Sequence, residues 1–197
     1  MRVTASNDVP VRNDRPVRRQ AVRRSWGLLV VVLAVLAGTL QAQATDTYFQ
    51  QWRFRTGQVC VETHGWQFWP ARDATTRWSA SGAVHVFAWA DCSSQPVSQR
   101  VVLRVYDNPA EYACAKTDPG RYLDSGGIVR TMTIWLNVAP RWKAGCYATA
   151  SQRAHIISHE LGHALGLAHR DGPSVMASWA YQWPTASDLY QLKRRYA

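Results

Sequence analysis

No Cys-x-x-Cys pair occurs in the 197 residues, which argues against a cysteine zinc ribbon or a dithiol redox pair. No internal repeat and no low-complexity tract is present, so a stacked-repeat architecture is excluded. The longest charge-free apolar run, Trp26 to Leu40 (WGLLVVVLAVLAGTL), is fifteen residues, short of the ~20 that cross a bilayer comfortably as a helix. Acidic residues are few as well: 13 aspartates and glutamates stand against 23 lysines and arginines, a net charge of +10.

Half of that charge belongs to the first 44 residues. Residues 1–25 carry seven arginines against Asp8 and Asp14, the apolar run 26–40 follows, and Ala42 and Ala44 then form a small-x-small site. A basic region, a short apolar region and a small-residue site read as a secretory signal, with cleavage expected after Ala44. A retained membrane anchor through residues 26–40 is the alternative. Arg23-Arg24 hints at twin-arginine export, and the export route stays open. The remaining chain, 45–197, has scattered basic residues except at Lys193-Arg194-Arg195. That cluster reads as a solvated last helical turn that favours cations, so no nucleic-acid partner is expected.

Four cysteines, Cys60, Cys92, Cys114 and Cys146, follow the leader. An even number in an exported chain suggests two disulfides, with three pairings open. Cys60–Cys92 with Cys114–Cys146 is preferred because each closes a moderate loop.

After an N-terminal arm (45–56), strands are expected at Gln58–Thr63, Val84–Ala90, Arg100–Tyr106 and Gly127–Asn137, from their valine, isoleucine and aromatic content. Pro70 to Ala80 reads as a helix with proline in its first turn. Asn108 to Gly127 reads as a long surface loop. Thr149-x-x-Gln152 is a capping box opening a helix to about Leu167, and Thr185-x-x-Asp188 opens a last helix over 187–196. Strands interleaved with helices give a mixed α+β domain. Ten tryptophans are present, nine of them after the leader. Trp66-Gln67-Phe68-Trp69 reads as a carbohydrate platform or, by default, as core packing.

The densest chemistry lies at His159 to His169, HELGHALGLAH. On a helix, His159 and His163 project from one face one turn apart, so both imidazoles reach one Zn²⁺. Glu160, beside the first ligand, is placed to reach a metal-bound water as general base. Gly166 falls where the helix must stop and turn, which a residue tolerating positive φ does cheaply. The turn brings His169 back as a third ligand, leaving the fourth position for water, the pattern of a catalytic zinc. His155, one turn earlier, fits a supporting role, and His64 and His85 read as structural.

HELGHALGLAH followed by Ser174-Val175-Met176-Ala177 resembles the extended zinc motif and Met-turn of metzincin metallopeptidases, most closely the matrixins with their bacterial secreted members. GIVRTMTIWLN resembles the edge strand before the site, and Thr185 to Tyr196 the closing helix. The specific likeness covers about 128–197. It implies a zincin-like α+β catalytic domain over 45–197: a twisted, mainly parallel sheet with an antiparallel edge strand, an active-site helix and a C-terminal helix. It also implies zinc endopeptidase activity with His159, His163 and His169 as ligands, Glu160 as base and Met176 beneath the metal. Protein or peptide substrates are then expected, extended along the 128–137 strand, with Tyr181 lining the pocket. Arg170 stands where matrixins usually carry serine or threonine, and Ser178 where astacin-like members place a tyrosine ligand. No cysteine-switch propeptide and no structural-zinc segment is recognisable.

Calcium at Asp107, Asp118 or Asp124 has no support beyond their place in the long loop, where solvated carboxylates are the simpler reading. A monomer is expected. The rival reading is a non-catalytic exported module that keeps zinc for stability and recognises glycans through its tryptophans. Glu160 speaks against it, since such a module has no use for a base.

Overall fold

A computed structural model describes residues 49–197 except 56, 121–125 and 178–180, all within the unit Asp46–Ala197. The expected leader, Asp124 and Ser178 lie outside the described residues. The elements run β1 (Gln58–Glu62), α1 (Ala71–Ser79), β2 (His85–Trp89), β3 (Arg100–Tyr106), β4 (Ala115–Asp118), β5 (Thr131–Asn137), α2 (Pro140–Cys146), α3 (Ala150–Ala164) and α4 (Ala186–Tyr196). The fold is α+β, with one five-stranded sheet in the order β2-β1-β3-β5-β4. All its pairings are parallel except β4 against β5.

Strand alternation decides which face is covered. Val101 pairs with Met132 and Leu103 with Ile134, and these four side chains are fully buried with Ile157 and Leu161 of α3 and Trp78 of α1. Trp78 also donates Nε1–H to the Ser158 carbonyl at 3.0 Å, locking α1 to α3. Both capping boxes form: Thr149 with Gln152 opens α3, and Thr185 with Asp188 opens α4.

Four features of the fold differ from the sequence reading. The 108–127 segment is not wholly loop, since Ala115–Asp118 is an antiparallel edge strand. Consequently the 128–137 segment does not offer a free edge: β5 is flanked by β3 and β4, and β4 is the edge. The short helix α2 was not foreseen, although Pro140 sits at its start. Pro70 is the residue capping α1 rather than part of its first turn.

Of the three open cysteine pairings, the structure has Cys60–Cys92 and Cys114–Cys146, each with a separation of 32 residues. The first ties the end of β2 to β1. The second ties the entry of β4 to α2, whose neighbour Tyr147 donates its hydroxyl to the Cys114 carbonyl. Two disulfides suit an oxidising, extracellular type of environment. Among the described residues no helix is long and apolar enough to cross a membrane.

Candidate metal centre

The three histidines converge. His159 Nε2 lies 3.0 Å from His169 Nε2, and His163 Nε2 lies 3.1 Å from each of the other two. His159 and His163 come from one face of α3, and the chain reversal after the helix supplies His169. That reversal is a Schellman ending: Leu167 N–H donates to the Gly162 carbonyl (3.0 Å) and Gly166 N–H to the His163 carbonyl (2.9 Å). It requires a left-handed residue, and Gly166 has φ +94°. A Cβ there would also meet the Trp52 carbonyl at 2.6 Å.

The second nitrogen of two of the rings is fixed. His159 Nδ1 lies 2.8 Å from the Val175 carbonyl, and His163 Nδ1 lies 2.8 Å from the Leu167 carbonyl. A carbonyl only accepts, so both Nδ1 atoms carry hydrogen and both Nε2 atoms present lone pairs. Burial, aided by the neighbouring imidazoles, lowers the pKa of His159 to about 3 and of His163 to about 4. Neutral imidazoles with lone pairs aimed at one point repel one another unless a cation lies between them. The donor set therefore fits a metal ion, and these are the residues grouped for one.

Val175 is itself held. The buried Asp188 carboxylate accepts from Val175 N–H (3.0 Å), from Thr185 N–H (2.8 Å) and from the Ser174 hydroxyl. Ser174 Oγ in turn accepts from Met176 N–H at 2.9 Å. A carboxylate on α4 thus shapes the 174–176 turn, whose carbonyl orients His159. The sequence revealed Asp188 only as a capping residue. Met176 is fully buried against Gly162. A Cβ on Gly162 would lie 2.3 Å from Met176 Sδ and 2.9 Å from Trp78 Cζ2, which explains a glycine inside α3.

The N-terminal arm completes the surroundings. Gln50 N–H donates to the Gly166 carbonyl (2.8 Å) and Trp52 Nε1–H to the His163 carbonyl (3.0 Å). Arg195 of α4 clasps the arm by donating to the Gln50 and Trp52 carbonyls, both at 2.9 Å. Arg170, just past the third histidine, donates to Ser187 Oγ at 2.5 Å. It braces α4 rather than entering the histidine cluster.

Glu160 is 6% exposed, and burial raises its carboxyl to about 7 even though Thr117 pulls the other way. Thr117 Oγ1 lies 2.7 Å from Glu160 Oε2. Thr117 belongs to β4, so the unforeseen edge strand supplies a contact to Glu160 that loop composition could not reveal. The histidines and Glu160 open onto a cleft of about 730 Å³, bounded by β4 on one side and by Arg170, Asp171, Met176 and Ala177 on the other.

His155 lines the same cleft, and its Nδ1 lies 2.6 Å from the Tyr181 carbonyl. Burial lowers its pKa too. Its ring centroid is 5.5 Å from that of His159, and it stands outside the three-nitrogen cluster. Tyr181 itself is 36% exposed and is not among the cleft-lining side chains. Asp107 is exposed, and Asp118 Oδ1 accepts from Gly120 N–H at 2.7 Å; neither belongs to a metal-ligating group among the described residues. His64 lies 3.0 Å from the Leu103 carbonyl, and His85 sits exposed on β2.

The chain matches no protein-family model and no curated protein. The geometry alone describes three histidines that could hold a metal ion, with a buried carboxyl beside an open cleft.

Proposed function

We propose that this chain is an exported zinc endopeptidase of metzincin type, matrixin-like in its site, with residues 1–44 removed as a signal. One observation carries the reading. Three Nε2 atoms meet within 3.0–3.1 Å beside a buried glutamate, at the floor of a cleft bordered by the edge strand β4. A structural zinc needs neither an acid–base residue nor a cleft, because it is closed by four protein ligands.

His159, His163 and His169 would hold the ion. Zinc bound there supplies Lewis acidity to the scissile carbonyl and acidifies a water molecule. Glu160 moves the proton. With Oε2 taken by Thr117, Oε1 accepts a proton from the attacking water and returns it to the leaving amine. The Thr117 bond holds the carboxyl in one orientation through both transfers. An extended peptide is positioned by adding to the sheet along β4, the edge strand among the described residues, through main-chain hydrogen bonds. The carbonyl clamps on His159 and His163 keep those two ligands rigid before substrate arrives.

The test is casein cleavage by the purified protein, followed with zinc stoichiometry. One zinc per chain, cleavage abolished by a chelator and restored by zinc, and loss of both binding and cleavage in His163→Ala are expected. A zinc-loaded protein with no chelator-sensitive cleavage of casein or gelatin would overturn the assignment.

A further inference from the structure

A second cleft, of about 660 Å³, shares no lining residue with the first. It lies between the ends of β1 and β2 and the first turn of α1, and its walls include Trp66, Trp89, Gln67, Arg72, Asp73 and Asp91. We propose that it binds a neutral oligosaccharide of hexose units, through the faces of Trp66 and Trp89 and the polar side chains around them.

Backbone contacts set the aromatic walls, with the Trp66 ring partly buried beside His64 (centroids 5.2 Å apart) and the Trp89 ring edge-on to Phe87 (4.8 Å). The Trp89 carbonyl accepts from Thr63 N–H (2.8 Å) and Thr63 Oγ1 (3.0 Å). His64 and Gly65, both left-handed with φ +50° and +75°, turn the chain so that Trp66 N–H donates to the Thr63 carbonyl at 2.9 Å. The Cys60–Cys92 disulfide and the Cys92 N–H bond to Glu62 Oε2 (3.3 Å) fix the neighbouring loop. Trp69 is buried and packs edge-on against Tyr147 at 4.7 Å, which makes it floor. Trp89, by contrast, is 47% exposed. The aromatic segment 66–69 therefore divides: Trp69 serves the core and Trp66 faces the cleft.

Around these rings stand the exposed side chains of Gln67, Arg72 and Asp73, which have no hydrogen-bond or ionic partner among the described residues. A flat apolar ring face ringed by free donors and acceptors matches a pyranose, with C–H groups on its face and hydroxyls on its rim. Aromatic side chains with a polar handle serve such amphipathic ligands. Asp73 and Asp91 against one arginine disfavour an anion, and the small residues Gly65, Ala71, Ala88 and Ala90 with Thr63 give the rest of the wall little apolar surface for a lipid chain. The surface also continues. Trp89, Phe87 and His85 form a ladder along one face of β2, with centroids 4.8 and 5.4 Å apart. Four residues of strand cover roughly 13 Å, room for more than one sugar ring.

Sugar binding at this cleft is read without peptide hydrolysis. Maltohexaose, cellohexaose and mannohexaose are titrated into the purified protein by calorimetry. Saturable binding of at least one is expected, weakened about tenfold by Trp89→Ala and comparably by Asp73→Asn, with casein cleavage unchanged in Asp73→Asn and its unfolding midpoint only slightly lowered, since Asp73 lies in the first turn of α1. Capture of a glycoprotein that is lost after enzymatic removal of its glycans would identify protein-attached sugar as the source. Capture that is unaffected, with oligosaccharide binding intact, would identify free polysaccharide. No binding of any of the three up to about 10 mM, or binding that both variants retain in full, overturns the proposal. So does Trp89-dependent binding of unglycosylated casein peptides without sugar binding.

Discussion

Gly162 and Met176 are in contact so close that no side chain fits between them: a Cβ at Gly162 would stand 2.3 Å from Met176 Sδ. In an exposed helix, glycine to alanine gains about 1 kcal/mol. Here Trp78 closes the other side at 2.9 Å and Met176 is fully buried, so neither can give way freely. Gly162→Ala is expected to destabilise the protein by about 2 kcal/mol, measured by denaturant unfolding, and to weaken zinc binding as the turn beneath the histidines shifts. A stabilised variant would show that the Met176 packing is loose.

Asp188→Ala removes the acceptor for Ser174, Val175 and Thr185 at once. Buried groups left unsatisfied cost about 1–3 kcal/mol each, partly relieved by water, so a loss of about 3 kcal/mol is expected. Because Val175 orients His159, zinc affinity should fall by about 10–100-fold. Competition with a chromogenic chelator reads this directly. Unchanged affinity would mean that the turn keeps its shape without α4.

Thr117→Val keeps the shape of the side chain and removes the donor to Glu160 Oε2. That hydrogen bond lowers the carboxyl pKa. Its loss should move the acidic limb of the activity–pH profile upward and lower kcat, with KM little changed. An unmoved limb would place the controlling ionisation elsewhere.

The metal-free protein should become less stable as pH falls from about 6.5 to about 4.5. His159 and His163, ordinarily near 6.5, are held at about 3 and 4 in the fold. They contribute stability above the unfolded value, and it is lost as acid forces protons onto them. Glu160 acts oppositely: its fold-raised value of about 7 gives stability that is full below about 4.5 and fades as pH rises through 7. In the 4.5–6.5 window the unfolded chain binds two more protons at His159 and His163 and one fewer at Glu160, and His155, also lowered by burial, adds in the histidine direction. Stability then falls by at least about 1.4 kcal/mol per pH unit of acidification. Glu160→Gln should steepen that slope by one proton, as urea unfolding across the window will show.

Much of this fold is written locally. Thr149 with Gln152 and Thr185 with Asp188 mark the starts of both long helices, because a capping box is a contact between residues three apart. The run RVVLRVY coincides with β3 at both ends. The four-residue strand AKTD has no apolar alternation to show. It exists because β5 pairs with it and Cys146 holds its entry. The histidine spacing foretold a cluster, since its geometry is that of one helix turn plus one reversal. Thr117 on Glu160, the Asp188 brace and the Trp52 clamp on His163 join residues 43, 13 and 111 positions apart. No local pattern encodes such pairs. Gly162 shows the same limit: an unexplained penalty in sequence becomes a required gap once Met176 and Trp78 are in place.

The decisive comparison is between the wild-type protein and Glu160→Gln, with zinc content and peptide cleavage measured on the same samples. One zinc per chain in both, with cleavage in the variant lower by at least about a hundredfold, is the expected result. Equal cleavage by the two zinc-loaded proteins would contradict Glu160 as the proton carrier, and no cleavage by the zinc-loaded wild type would contradict the peptidase assignment.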